Sequence, residues 1–292
     1  MSHDQSQPVP DSQPSPTRPR WPWRDPSRPP DASIVVPVNA KGDLENARRL
    51  LADLARYNGP HTFETILVVN NYDGDPAPQV AEYEATGARV LSLPRVERRI
   101  GEAIAFSVRL PGVRAAEASW IILFDADCRI PDATALLDWY VARGRSGVGV
   151  AYTHVDFYDL LPARSVRVKV RMHHVARWVK RALLRLPTTR GSNYAVRREL
   201  MLDLYEAGLL ADDLNVGPAA KARGEAIVYS GERSLTVLTS GRMFRAGWLR
   251  IVTYFWYRLR YNLRVLPVRS DVSSRTGRDR QSADRYDYTK RT

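Results

Sequence analysis

Two rhythms of apolar residues alternate along the chain. Short apolar runs rich in β-branched residues recur at Ala32–Asn39, Glu64–Val69, Ala88–Leu93 and from Trp120. Continuous runs of that length fit strands covered on both faces. Between them apolar positions return at three- and four-residue steps. Leu44, Ala47, Leu50, Leu51 and Leu54 trace one helix, with Asp43 placed to cap it. Further helices are expected over Ala77–Ala85, from Glu102, and over Pro131–Ala142. Strand–helix alternation of this kind predicts a parallel sheet with right-handed crossovers. Pro37 is expected to close the first strand.

The second half is less regular. A strand of mixed pattern is predicted over Gly147–Val155. Residues 163–185 read partly as strand (Val166, Val168, Val170) and partly as helix (Val175, Trp178, Val179, Leu183), with helix favoured. A glycine-led turn, Gly191-Ser192-Asn193, feeds an apolar strand. Helices over Glu199–Glu206 and from Asp212-Asp213 to Gly224 follow, then strands at Ala226–Tyr229 and Ser234–Thr239.

The run at Trp120-Ile-Ile-Leu-Phe ends abruptly in Asp125-Ala126-Asp127. Ligands of open α/β sheets bind beyond the carboxyl ends of the strands. Two carboxylates there suit a divalent cation held against a phosphate-bearing substrate. Asp125 ending the strand and Asp127 capping a turn is the plainer alternative. Asp212-Asp213, likewise, reads either as a helix cap or as a source of a general base.

Composition narrows the partners. The single cysteine, Cys128, excludes an intramolecular disulfide and points to a reducing compartment. No apolar run is long enough to cross a bilayer. The net charge of +12 is uneven: eight Arg/Lys and no acid fall in residues 163–187, and four Arg and no acid in 248–266, together the whole excess. On a helical wheel Trp248–Leu266 separates an arginine–tyrosine arc from an aromatic-rich apolar one. That suits either an amphipathic helix in an anionic membrane surface or a terminal helix packed on the domain. No nucleic-acid-binding module accompanies the basic segments, so no nucleic acid partner is expected. Residues 1–31 are Pro-rich and 268–292 polar, and both are expected to be disordered tails. They bracket a domain over 32–245 and a basic helix over 246–267.

Taken together and in order, Val35-Val36-Pro37-Val38-Asn39, Val68-Val69-Asn70-Asn71, Asp125-Ala126-Asp127, Gly191–Arg198 and Asp212-Asp213-Leu214 resemble the family 2 nucleotide-sugar glycosyltransferases, inverting enzymes of GT-A fold. The resemblance covers roughly residues 32–240. It implies a Rossmann-like, mostly parallel sheet flanked by helices, and transfer of a sugar from a nucleoside-diphosphate donor to an acceptor hydroxyl. It implies a divalent cation, Mg²⁺ or Mn²⁺, on Asp127 and Asp125. Pro37, Val38, Asn39, Asn70, Arg98, Arg99, Asp125 and Arg242 would contact the donor. Gly191, Ser192 and Asn193 would face the acceptor, lipid-linked or small and soluble. Asp213 would be the general base, with Asp212 as the alternative.

Departures refine the picture. Asn70 stands where the family has an aspartate that accepts from the base, and Asp212 where it has a glutamate. The Gln-x-x-Arg-Trp signature of processive synthases is missing, which implies single-sugar transfer. No histidine follows His174 to complete a late metal site. A cytoplasmic protein, peripheral on the inner membrane face, follows from these features. The competing readings are a catalytically silent nucleotide-sugar binder of the same fold and a basic nucleic-acid-binding protein.

Overall fold

The computed structural model describes residues 28–94, 96, 102–245, 247, 252, 253 and 256. Seven strands form the main sheet: β1 (Ala32–Asn39), β2 (Phe63–Asn70), β3 (Arg89–Leu93), β4 (Trp120–Leu123), β5 (Val150–Thr153), β7 (Tyr194–Arg197) and β8 (Ile227–Ser230). Their order is β3-β2-β1-β4-β7-β5-β8. All neighbours run parallel except β7, which is antiparallel to β4 and β5. Two short parallel strands, β6 (Val155–Phe157) and β9 (Val237–Thr239), make a second sheet. The strand predicted over Gly147–Val155 is thus two strands in different sheets, split at His154.

Both faces of the main sheet are covered, which is why its strands read as unbroken apolar runs. Ile34, Val36 and Val38 face a core with α1 (Leu44–Leu54) and α4 (Ala133–Arg145), and α2 (Ala77–Glu84) adds Tyr83 to it. Val35, Ile66 and Ile121 face a second core built on α3 (Ile104–Ala115), α6 (Arg198–Glu206) and α7 (Asp213–Ala222). Strand order reverses at β1: β2 and β3 lie on one side of it and β4 on the other, all four parallel. The carboxyl ends of β1, β2 and β4 therefore open onto a crevice at a topological switch point.

Three expectations are corrected here. Pro37 does not end β1; the strand runs on to Asn39 in register with β2. Val35 O accepts from Phe124 N on the β4 side at 3.3 Å, and β4 pairs with β1 no further than Val35. Pro37, two residues on, turns its missing N–H toward the same side, where the neighbouring strand has already ended. Asp43 occupies the cap position of α1, but its side chain makes no capping bond to the helix backbone and instead accepts from Asn46 Nδ2 at 3.4 Å. The tail expected for 1–31 ends earlier than its boundary: Asp31 N donates to Thr62 O at 2.8 Å, and Asp31 pairs with Arg145 at 2.7 Å. The rest of that tail, the tail 268–292 and most of the basic helix 246–267 lie outside the described residues.

Helix α3 carries Pro111 and Gly112 in its interior, a pair with poor helix propensity. Their use is proximity. A Cβ on Gly112 would meet Val35 Cγ1 at 2.6 Å and Val68 Cγ2 at 2.8 Å, so the helix lies directly on β1 and β2. Gly112→Val is expected to lower stability by about 1–3 kcal/mol through overpacking. Chemical denaturation checks this, and an unchanged midpoint would contradict it.

Candidate active site

The crevice is organised around a residue that the sequence did not single out. Arg109, on the inner face of α3, is completely buried. Its Nη2 pairs with Asp125, just past β4, and its Nη1 with Asp213, at the start of α7. Nη2 also donates to the carbonyl of Gly191 at 2.8 Å. One guanidinium spanning both acids sets the two carboxylates roughly 5–7 Å apart. Burial works against the charge of Arg109, but Asp213 and Asp125 more than offset it and hold the guanidinium protonated. Its neighbours Phe106, Val108 and Leu110 are apolar, but Arg114 follows on the same helix, so no local pattern marks Arg109 out.

Asp213 is buried with both oxygens engaged. Tyr194 donates its hydroxyl to one at 2.8 Å, and Arg109 takes the other. Burial pushes its pKa up to about 6 against the pull of Arg109, with Asp212 and Asp125 adding repulsion. Asp212 is only half-buried and caps α7, accepting from Leu214 N at 3.5 Å.

The loop after β4 is held from two directions. Arg129 Nε donates to the buried Asp53 of α1 at 2.6 Å, and Ile130 N donates to the same carboxylate at 3.0 Å. Arg129 and Leu238 exchange backbone bonds of 2.7 and 2.9 Å, which ties the loop to β9. Between these anchors Asp127 accepts from Thr239 Oγ1 at 3.0 Å and from Arg242 Nη2 at 3.3 Å. Burial raises its pKa to about 6, and Asp125 adds to the rise against the pull of Arg242 and Thr239. Asp125 is one-third exposed, with a side-chain accessibility of 34%. A buried carboxylate short of positive charge beside a second, open one fits a divalent cation.

The other expected residues divide. Asn39 and Asn70 sit side by side at the ends of β1 and β2. Asn39 Oδ1 accepts from Lys41 N at 3.1 Å and Asn71 Nδ2 at 2.9 Å, and Asn70 Nδ2 donates to Val38 O at 3.1 Å. Pro37 and Val38 are buried in the strand. Gly191 adjoins the ion pair so closely that a Cβ there would lie 2.5 Å from Arg109 Nη1 and 2.7 Å from Asp213 Oδ2. Ser192 and Asn193 turn inward instead. Ser192 is buried with its carbonyl accepting from Cys128 Sγ at 3.1 Å, and Asn193 joins Tyr140 and Thr153 in a core network. These two shape the turn at Gly191 from beneath. Arg98 and Arg99 lie outside the described residues.

A second group of metal-capable side chains, His154, Asp156 and His174, has ligand atoms within 4.8 Å of one another. It lies on β5–β6 and on α5 (Arg164–Ala182). Burial, then Arg177 and His174, lower the His154 pKa to about 4.

Comparison with solved structures agrees with the topology. The mannosyltransferase PcManGT of Pyrobaculum calidifontis, solved with GDP-Man and Mn²⁺, superposes with a TM-score of 0.50 at 19% identity, over 82% of this chain and 67% of that one. TarS of S. aureus gives 0.47 at 18%, over 72% of this chain and 36% of that one. Glucosyl-3-phosphoglycerate synthase of Mycobacterium tuberculosis gives 0.47 at 16%, over 71% and 70%. The chain has the GT-A fold. A scan of protein-family models and a search of curated proteins give no match. Among the described residues no helix is long and apolar enough to cross a membrane.

Two predictions follow from the carboxylates. Asp127 has its folded pKa raised, so it favours folding while protonated, and that contribution is lost as pH rises through about 6. In cation-free buffer, Asp127→Asn is expected to be more stable than wild type near neutral pH by on the order of 2 kcal/mol, with the gap closing toward about pH 4. Thermal unfolding across pH checks this, and a variant less stable than wild type throughout would contradict it. Gly191→Ala is expected to disrupt the Arg109 bridge and lower the unfolding midpoint; an unchanged midpoint would contradict it.

Proposed function

We propose that this chain is an inverting, metal-assisted glycosyltransferase of family 2 type that moves one sugar from a nucleoside-diphosphate sugar to an acceptor hydroxyl. The observation that carries the reading is the linkage of Asp125 to Asp213 through Arg109 at the switch point of a GT-A sheet. It joins the carboxylates of the donor end to those of the acceptor end. The solved mannosyltransferase of the same fold binds GDP-Man and Mn²⁺, and the same class of donor is assigned here.

Asp125 and Asp127 would hold the cation, which when bound supplies positive charge against the donor diphosphate. Arg242, exposed and 3.3 Å from Asp127, can swing between that carboxylate and the leaving diphosphate, where negative charge grows in the transition state. Asn39 and Asn70 offer neutral amides to the nucleobase. Asn70 carries no charge with which to select a base, so base preference rests on amide geometry.

An inverting displacement needs a carboxylate that reaches the attacking hydroxyl. The sequence expectation gives this role to Asp213. With both oxygens engaged and the residue 5% exposed, Asp213 suits positioning better than proton transfer. We therefore assign the base to Asp212 and give Asp213, with Tyr194, the task of fixing Arg109 and the start of α7. The pyrophosphate donor, a single transferred sugar, and a lipid-linked or small soluble acceptor complete the proposal. Peripheral attachment at the cytoplasmic membrane face through Trp248–Leu266 remains part of it.

A panel of nucleoside-diphosphate sugars with Mn²⁺, read by thermal shift and then by transfer, tests the reading. One donor is expected to stabilise the fold in a metal-dependent way. Asp212→Asn is expected to lower kcat by roughly a hundred-fold or more with little effect on donor binding. Normal turnover in Asp212→Asn beside a folded, inactive Asp213→Asn would return the base to Asp213. Donor binding without turnover across acceptors would leave a silent binder.

A further inference from the structure

Helix α5 is inverted with respect to the usual surface helix. Its buried positions are Val166, Lys169, His173 and Arg177, while Val168, Met172, Val175 and Trp178 are exposed. The inward stripe at three- and four-residue steps is therefore mostly polar, with two cations in it. Lys169 Nζ donates to Phe244 O at 3.2 Å. His173 packs edge-on against Phe157 and Phe244 and lies 3.3 Å from Arg190 Nη1.

Arg177 is different. It is 7% exposed, and its Nε and Nη1 are buried without a hydrogen-bond partner. No acid is among its main charge neighbours. They are Arg190 and Arg181, which with burial depress its pKa to about 9, and the phenols of Tyr229 and Tyr152, which oppose the fall. Leaving a guanidinium buried, unpaired and beside two others is costly, and folds retain such a group where a ligand of opposite charge completes it. A single water could satisfy one nitrogen, but it would leave the charge uncompensated.

The surroundings say where such a ligand sits. Arg190 immediately precedes Gly191, whose carbonyl is held by Arg109, so the cluster borders the acceptor turn. Arg181, which lies over the Tyr229 ring at 4.0 Å, lines a neighbouring cavity of about 560 Å³ together with Tyr152, Arg185, Lys221 and Glu225; Arg177 and Arg190 are not among its lining residues, and Arg181 links it to them. The fork of an arginine matches the oxygens of a phosphate, or of a carboxylate, with two parallel bonds. We propose that Arg177, with Arg190 and Arg181, is a subsite for a phosphate group of a substrate, set beside the turn at Gly191. This rests on the transferase reading only for the origin of the phosphate, which is either an anionic acceptor or the donor's diphosphate. The presence of the subsite is independent of turnover.

The test uses the full chain and inorganic phosphate, with ionic strength matched by chloride. Wild type is expected to show a saturable rise in unfolding temperature. Arg177→Met, close in volume and uncharged, is expected to unfold at a higher temperature than wild type in phosphate-free buffer and to lose the rise. Arg190→Gln serves as a second variant and is expected to bind phosphate roughly ten- to hundred-fold more weakly. No rise in wild type beyond chloride, or an undiminished rise in Arg177→Met, would overturn the proposal. Titration with a nucleoside diphosphate and Mn²⁺ then assigns the source. Unchanged affinity in Arg177→Met places the phosphate on the acceptor, and a parallel loss places it on the donor. Phosphate binding that depends on Arg177 in a protein with no transferase activity would uphold the subsite and defeat only the transferase reading.

Discussion

A single buried guanidinium holds the crevice together. Arg109 lies in the core between α3 and the sheet, and removing it would leave Asp125 and the buried Asp213 without their shared cation. That penalty fixes three separate segments relative to one another: the end of β4, the turn at Gly191 and the start of α7. A site whose parts come from residues scattered over a hundred positions needs such a fixture, since catalytic geometry tolerates little looseness. Gly191 has no side chain because the guanidinium and Asp213 occupy the place where one would go.

Around this fixture the two ends of the crevice are electrostatically unlike. Toward β9 the carboxylates are in excess: Asp125 is taken by Arg109, Asp127 has the exposed Arg242 beside it, and burial holds the Asp127 pKa high. Toward α5 the cations are in excess, and Arg177 stands among arginines. A cation suits the first end and an anion the second. The fold thus carries charges of opposite sign in excess on either side of a charge-paired centre, the pattern expected of a site that stores electrostatic cost for its ligands rather than for stability.

Much of the frame was legible in the sequence because buried parallel strands and amphipathic helices leave plain periodicities. The runs at Ala32–Asn39 and Phe63–Asn70 and the 3.6-residue pattern of α1 needed no tertiary information. The acidic tip of β4 was legible for the same reason, since the apolar run stops abruptly at Asp125 and Asp127. What was hidden depends on contacts between distant segments. Pro37 is tolerated inside β1 only because β4 ends early, a fact of sheet register. Asn193 is drawn into the core by Tyr140 and Thr153, which no local pattern around Gly191 encodes. Arg109 and Arg177 each read as one more arginine in a basic chain. Only burial distinguishes them from the arginines in solvent, and burial follows from which helix face meets the sheet.

The account stands or falls on where a metal and a diphosphate bind. The most direct measurement is anomalous diffraction from crystals grown with Mn²⁺ and a nucleoside diphosphate. The account predicts one manganese peak between Asp125 and Asp127, with the diphosphate beside it and Arg242 turned toward the phosphates. A peak at His154, Asp156 and His174 with nothing at Asp127, or a nucleotide bound away from the ends of β1 and β2, would contradict it.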